Sequence, residues 1–364
     1  MIGLLCLLFY LPFPCHGAES IQDMAEEQAA ALELDELERA AEEYIGEIDL
    51  TQGIELNESI LKLFEDRKDE FPGILRKALA SGGLLLVVVL LCGLADSMDE
   101  LGSRGKLPVS VLMGVAAVTA VSIADVNSLI GLGREAIGRM ETLSKVLLPG
   151  MAVVTAAAGA PASAAARQMA TMLFSDVLLT VIHRLLLPMV YAYIAACAAW
   201  AALGNEGVKR IAELLKWAVT SVLTLLLLAF VGYLGVSGAI GGATDAVAVK
   251  AAKFAVSGMV PVVGSILSDA AETVLAGAGI LKNTVGVAGM LAVLAICIVP
   301  FLTLGIHYLI YKLAAAFTAT LSDSRVAGLV SAIGGAFGLV LGMAGAGALI
   351  LLISMVSAIT MVVK

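Results

Sequence analysis

From residue 78 onward this sequence is a succession of apolar runs, each about as long as a helix that crosses a bilayer, and that pattern restricts the fold more than any motif does. Crossing the hydrocarbon takes about 20 mostly apolar helical residues. Backbone groups inside lipid must bond within their own segment, so the class implied is an all-α, polytopic membrane protein. Composition agrees: 60% of residues are hydrophobic, 15% are charged and mean hydropathy is +0.98, outside the range of ordinary soluble domains.

The runs are residues 78–95, 107–124, 146–166, 185–203, 217–237, 286–305 and 340–361. Residues 170–184 and 306–322 are apolar too, but they carry Asp176, His183 and Arg184, or His307 and Lys312. Each either extends a neighbour or forms a partial span, so six to eight spans are expected. The uncharged tail between Arg325 and Lys364 would be roughly 57 Å long as one straight helix, about twice the hydrocarbon thickness. It is expected to break or to lie partly in the interface.

Before residue 78 the composition changes. Residues 1–18, MIGLLCLLFYLPFPCHGA, read as a secretory signal: a short apolar run, two prolines, then small residues. Residues 19–77 hold 18 acids and 6 bases, whereas residues 78–364 hold 13 acids and 16 bases. The acidic stretch has the apolar periodicity of helices, with a break near Thr51 to Gly53 and a second helix over 54–69 closed by Phe71-Pro72-Gly73. It reads as an extracytoplasmic helical region, either a solvated hairpin or a docking surface. Cys92, Cys197 and Cys297 lie in apolar runs and read as small hydrophobes rather than a disulfide framework.

Within Lys253 to Met290 runs an ordered polar stripe. Ser265, Ser268, Asp269 and Glu272 fall at i, i+3, i+4 and i+7, one helical face, with Leu267, Ala270, Ala271 and Val274 opposite. Acids inside a membrane protein are costly unless they meet water, a cation or a partner. Two readings stay open: neutralisation by Lys250, Lys253 or Lys282 on an interfacial helix, or a face toward a hydrated path or another subunit. Asp176, His183 and Arg184 also share a helical side, as an ion pair rather than a relay. Trp200, Trp217, Tyr191, Tyr193, Tyr308 and Tyr311 read as interface anchors near span ends.

Prolines suggest an internal duplication. Pro149 and Pro188 are 39 residues apart, as are Pro261 and Pro300, and the pairs are offset by 112. All four are candidate helix-breaking positions, and residues 130–240 and 242–357 are candidate halves of a repeated unit within the 78–364 membrane domain. Gly334, Gly338 and Gly342, spaced by four, form a candidate helix-packing seam.

The chemistry-bearing motifs are missing. GxxxxGK[ST], HExxH and GxSxG do not occur, and His16, His183 and His307 have no metal-ligand spacing. Neither an enzyme activity nor a cofactor is expected, and nothing points to nucleic acid.

The stretch MVPVVGSILSDAAETVLAGAGILKNTVGVAGM, Met259 to Met290, resembles the stage III sporulation protein AE family in its PVVG step, its SDA-x-[ED]-T-V run and its LKN-x-VG-x-xG stretch. More loosely, the resemblance covers the signal-like start, the acidic region, the Pro149 region and the Gly-rich C-terminus. Met259 and Ser265 depart from the family pattern. The resemblance implies a component of the complex that the mother cell builds in the membrane facing the forespore, a channel or secretion-like apparatus. Its implied partners are sibling membrane subunits, a cytoplasmic ATPase and ring-forming extracytoplasmic proteins. The alternative is a self-contained secondary transporter with internal repeats; an intramembrane enzyme using Asp269 and Glu272 is a weaker third.

Overall fold

The structure is a computed structural model that describes residues 35–46, 56–102, 109–157, 162–257 and 264–360. The signal-like start, the break near Thr51 to Gly53 and Pro261 lie outside the described residues. Helix α1 is Asp35–Ile45, α2 Leu56–Arg67, α3 Phe71–Gly102, α4 Val109–Ala157 and α5 Ala162–Val181. A π-helical turn, Ile182–Leu186, leads into α6, Leu187–Leu203; then follow α7, Glu206–Ser257, α8, Gly264–Leu321, and α9, Ser324–Thr360. Among the described residues there is no strand. Among the described residues, six helices are long and apolar enough to cross a membrane: Phe71–Leu94, Val111–Thr155, Met169–Leu203, Glu206–Tyr233, Lys282–Leu321 and Ser324–Val356.

Close glycine contacts fix the helix directions. Gly82 and Gly93 of α3 lie against Ile310 and Leu321 of α8, so these two run parallel. Gly133 of α4 meets Leu304, while Leu147 and Met151 meet Gly289 and Gly286, so α4 runs antiparallel to α8. Helix α9 folds back along α8, with Gly334 on Tyr311, Gly338 on Tyr308 and Gly345 on Phe301. Trp200 at Gly328, Tyr193 at Gly335 and Leu179 at Gly347 set α5 and α6 antiparallel to α9. Helix α7 returns beside them, placing Phe230 with its ring centroid 5.8 Å from that of Phe174. Three helices therefore rise and three descend, alternating along the chain.

Two hairpins close through two-residue links of similar chemistry. Gly204 adopts φ +66°, a left-handed stop, and its N–H donates to the Trp200 carbonyl at 2.8 Å. Asn205 Oδ1 then accepts from the Gly207 N–H at 2.8 Å. Between α8 and α9, Asp323 Oδ1 accepts from the Arg325 N–H at 2.7 Å and sits 3.3 Å from its guanidinium Nε. Arg325 lies beside Gly204, so both links occupy the same end of the bundle. Asp323→Ala is expected to lower thermal stability by about 1 kcal/mol, the usual worth of an N-cap side chain. Thermal unfolding of the purified protein reads it; an unchanged midpoint would mean that the cap is dispensable.

Charge marks the two faces of the apolar slab. At the end of the hairpin links stand Lys209, Arg210, Asp323 and Arg325, and Lys216, ten residues into α7, lies deeper, near Lys312; at the other end stand Arg76, Lys77, Arg134, Glu135, Arg139 and Arg184. Between Arg184 and Glu206, residues 185–205 carry no Asp, Glu, Lys or Arg, a length that matches the hydrocarbon thickness. The helices do not stop there. The 58 residues of α8 extend about 87 Å, so its first half, with the C-terminal parts of α4 and α9, continues beyond the slab.

That continuation explains where hydropathy misplaces the spans. Residues 107–124 and 146–166 read as two crossings, yet residues 109–157 form one unbroken helix. Residues 286–305 and all but the last of 306–322 likewise belong to α8, and the tail expected to break is the single helix α9. The apolar surplus is satisfied by neighbouring helices: Val285, Ala288, Val293 and Cys297 are all buried. Nor do Pro149 and Pro300 end their helices, which pass through them. Pro188 differs, because the π turn precedes it and the Leu187 N–H bonds to the Ile182 carbonyl, one residue beyond the α register. Phe71-Pro72-Gly73, read as closing α2, instead opens α3; proline suits a first turn, where its missing N–H leaves no bond unmade.

Candidate functional site

Helix α8 carries the polar side chains that the fold brings into the slab. Tyr311 is fully buried, and its hydroxyl donates to Asp125 Oδ2 of α4 at 2.7 Å, across 186 residues of sequence. One turn toward the start of α4, Ser122 buries its hydroxyl beside the same phenol. Lys312, the next residue on α8, points instead to α9, where Nζ lies 3.1 Å from Ser331 Oγ and 3.5 Å from the Ser331 carbonyl. His307 is buried a turn before Tyr311, and its Nδ1 donates to the Thr303 carbonyl at 2.8 Å. An ionisable group at membrane depth is expensive and therefore marks function or a specific interhelical contact.

Where the slab meets water, a second cluster forms between α4 and the π turn. Arg134 Nε donates to His183 Nε2 at 3.0 Å, and His183 Nδ1 lies 3.6 Å from Glu141 Oε2. Lys145 Nζ bonds the other Glu141 oxygen at 2.8 Å. The sequence reading paired Asp176, His183 and Arg184 along one helix. The fold pairs His183 with α4 instead, since these groups meet across the helix boundary.

The first two helices complete a cavity of about 330 Å³ on this face. Glu43, Tyr44, Arg67, Glu135, Arg139 and Pro300 are among its walls. Glu135 and Arg139 pair at 2.6 Å, and Arg67 lies 3.6 Å from Glu70. Burial first, and then Glu43, pushes the Tyr44 phenol above its ordinary range, with Arg139 opposing. The acidic region thus rests on α4 and α8 here.

Several sequence expectations change place. Tyr193 and Tyr311, read as interface anchors, are buried among helices; Trp217 and Tyr191 are exposed on the outside of the bundle. Gly334 and Gly338 approach Tyr311 and Tyr308, while a side chain at Gly342 would meet nothing within 4 Å. Ser265, Ser268, Asp269 and Glu272 stand on the first turns of α8; their side chains lie outside the described residues. Glu272 is 28 residues before Pro300, about 42 Å along the helix and far beyond the slab. Asp125 lies one residue past the apolar run 107–124, and its partner Tyr311 is 186 residues away, so the pair is not visible in the sequence. Among the described residues no three His, Cys, Asp or Glu side chains converge as metal ligands.

Comparison with known proteins gives two findings. Residues 54–362 match the sequence model of a family described as Stage III sporulation protein AE. The Stage III sporulation protein AE of Bacillus subtilis (strain 168) is 25% identical over 324 residues, covering 85% of this chain and 81% of that protein. No solved structure matches.

Proposed function

Since the chain belongs to the stage III sporulation protein AE family, we propose that it is a non-enzymatic membrane subunit of the mother-cell to forespore channel or secretion-like complex that endospore formation requires. In this reading it sits in the mother-cell membrane around the forespore, with residues 19–77 extracytoplasmic, and works with sibling subunits, a cytoplasmic ATPase and ring-forming extracytoplasmic proteins.

The observation that carries the proposal is the length of the central helices. Helix α8 is about three times as long as the hydrocarbon is thick, and α4 and α9 accompany it outside the slab. Such an extension gives a membrane protein a large rigid surface for other subunits. On it Met169, Leu173 and Val177 of α5, at i, i+4 and i+8, expose one apolar face. Within the slab, Gly334 and Gly338 of α9 bring it close against Tyr311 and Tyr308 of α8, the close packing of a rigid building block. We also take residues 130–240 and 242–357 as copies of one unit, because each contains a hairpin with an Asn or Asp cap and both links lie at one end. Copies so arranged are parallel rather than inverted.

The test is affinity purification of a tagged, functional chain from sporulating cells after crosslinking. Recovery with other sporulation membrane proteins at fixed stoichiometry is expected. Recovery of the chain alone, with normal sporulation in a strain from which it is deleted, would overturn the proposal. Single cysteines placed in α1 and α2 should react with an impermeant thiol reagent in intact cells; protection there would reverse the topology.

A further inference from the structure

We infer that Asp125, Ser122 and Tyr311 form a binding site for a monovalent alkali cation in the middle of the membrane. Tyr311 is 10 residues from Leu321 and 11 from Pro300 on α8, about 15 Å from either edge of the slab. The Asp125 carboxylate meets it there, with the Tyr311 hydroxyl at 2.7 Å. Among the described residues, no lysine, arginine or histidine makes an ion pair with Asp125. Lys312, the nearest in sequence to Tyr311, is engaged by Ser331 on α9.

Ser122 supplies the independent observation. Its side chain is 1% exposed, and its hydroxyl makes no hydrogen bond of normal geometry even though the Tyr311 phenol lies alongside. A buried hydroxyl without a bond costs free energy unless something binds it. A carboxylate and a hydroxyl of α4, one helical turn apart, thus both adjoin the phenol of α8. Hard oxygen donors suit alkali and alkaline-earth ions, not soft metals.

Charge selects between those two classes. One carboxylate and one monovalent ion make a neutral site, which the membrane interior tolerates; a divalent ion would leave a net positive charge there. Asp125 itself is only half-buried. On binding, the Tyr311 hydroxyl turns its proton away and offers a lone pair, and no covalent bond changes.

The experiment is thermal unfolding of the purified full-length protein at fixed ionic strength, with NaCl or KCl replacing choline chloride. Sodium or potassium should raise the midpoint saturably, and Asp125→Asn should abolish the rise. Ser122→Ala, which removes one ligand and an unbonded hydroxyl, should fold normally and raise the half-saturating concentration about tenfold. A flat wild-type titration, an equal rise in Asp125→Asn, a Ser122→Ala curve superimposable on wild type, or protection that follows pH alone would each overturn the site.

Discussion

Valine at position 338 should lower the midpoint of thermal unfolding by about 2–6 °C, the shift that an over-packing cost of about 1–3 kcal/mol produces in a chain of this size. A Cβ at Gly338 would stand 3.0 Å from two ring carbons of Tyr308, and one at Gly334 only 2.9 Å from the Tyr311 Cβ. Tyr311 has less room to retreat than the half-buried Tyr308. Tyr311 is fully buried and edge-on to Phe337 at 5.0 Å between ring centroids, so displacing it would also disturb the Asp125 contact. Gly334→Val should therefore be at least as damaging as Gly338→Val. Gly342 provides the control from the same series: a Cβ there meets nothing within 4 Å, and Gly342→Val should change the midpoint little. Equal effects at all three positions would mean that valine acts through helix propensity or lipid contact, not through the seam.

Loss of both acids from the stripe should reduce sporulation by about tenfold or more, the consequence of removing about 1.4 kcal/mol of contact energy at an assembly surface. The variant is Asp269→Ala with Glu272→Ala, measured by heat-resistant spore counts alongside the amount of protein in the membrane. Both residues belong to the helical start of α8, so their spacing does place them on one face. Their distance from the slab alters the reason to expect an effect. Acids about 42 Å beyond Pro300 do not have to be desolvated by lipid, and the proposed role of their face is contact with another subunit. Normal spore counts with normal protein levels would leave the stripe as a solvated face. Loss of the protein from the membrane would assign it a folding role.

Much of the architecture was legible in the sequence, because apolar periodicity and proline act locally. The helical class, the helix over 54–69 and a span count within six to eight all follow from residues close together in the chain. The boundaries were not legible in the same way. Hydropathy cannot tell lipid from the inside of a bundle, so the surplus length of α4, α8 and α9 resembled additional crossings. Pro149 and Pro300 show the same limit: a proline removes one hydrogen bond, and packed neighbours hold the helix through the gap.

By itself, the sequence determined that this chain is a helical membrane protein, where its acidic region ends and which sporulation family it resembles. Those properties come from composition, spacing and short-range patterns, which survive without knowledge of what packs against what. The tertiary structure alone decided that Tyr311 is an interior residue bonded to Asp125, that His183 answers to α4, and that the polar stripe belongs to the same long helix as Tyr311. Each depends on a neighbour from a distant part of the chain or on the full length of a helix. A side chain's partner across 186 residues is set by how helices pack, and no local pattern encodes it.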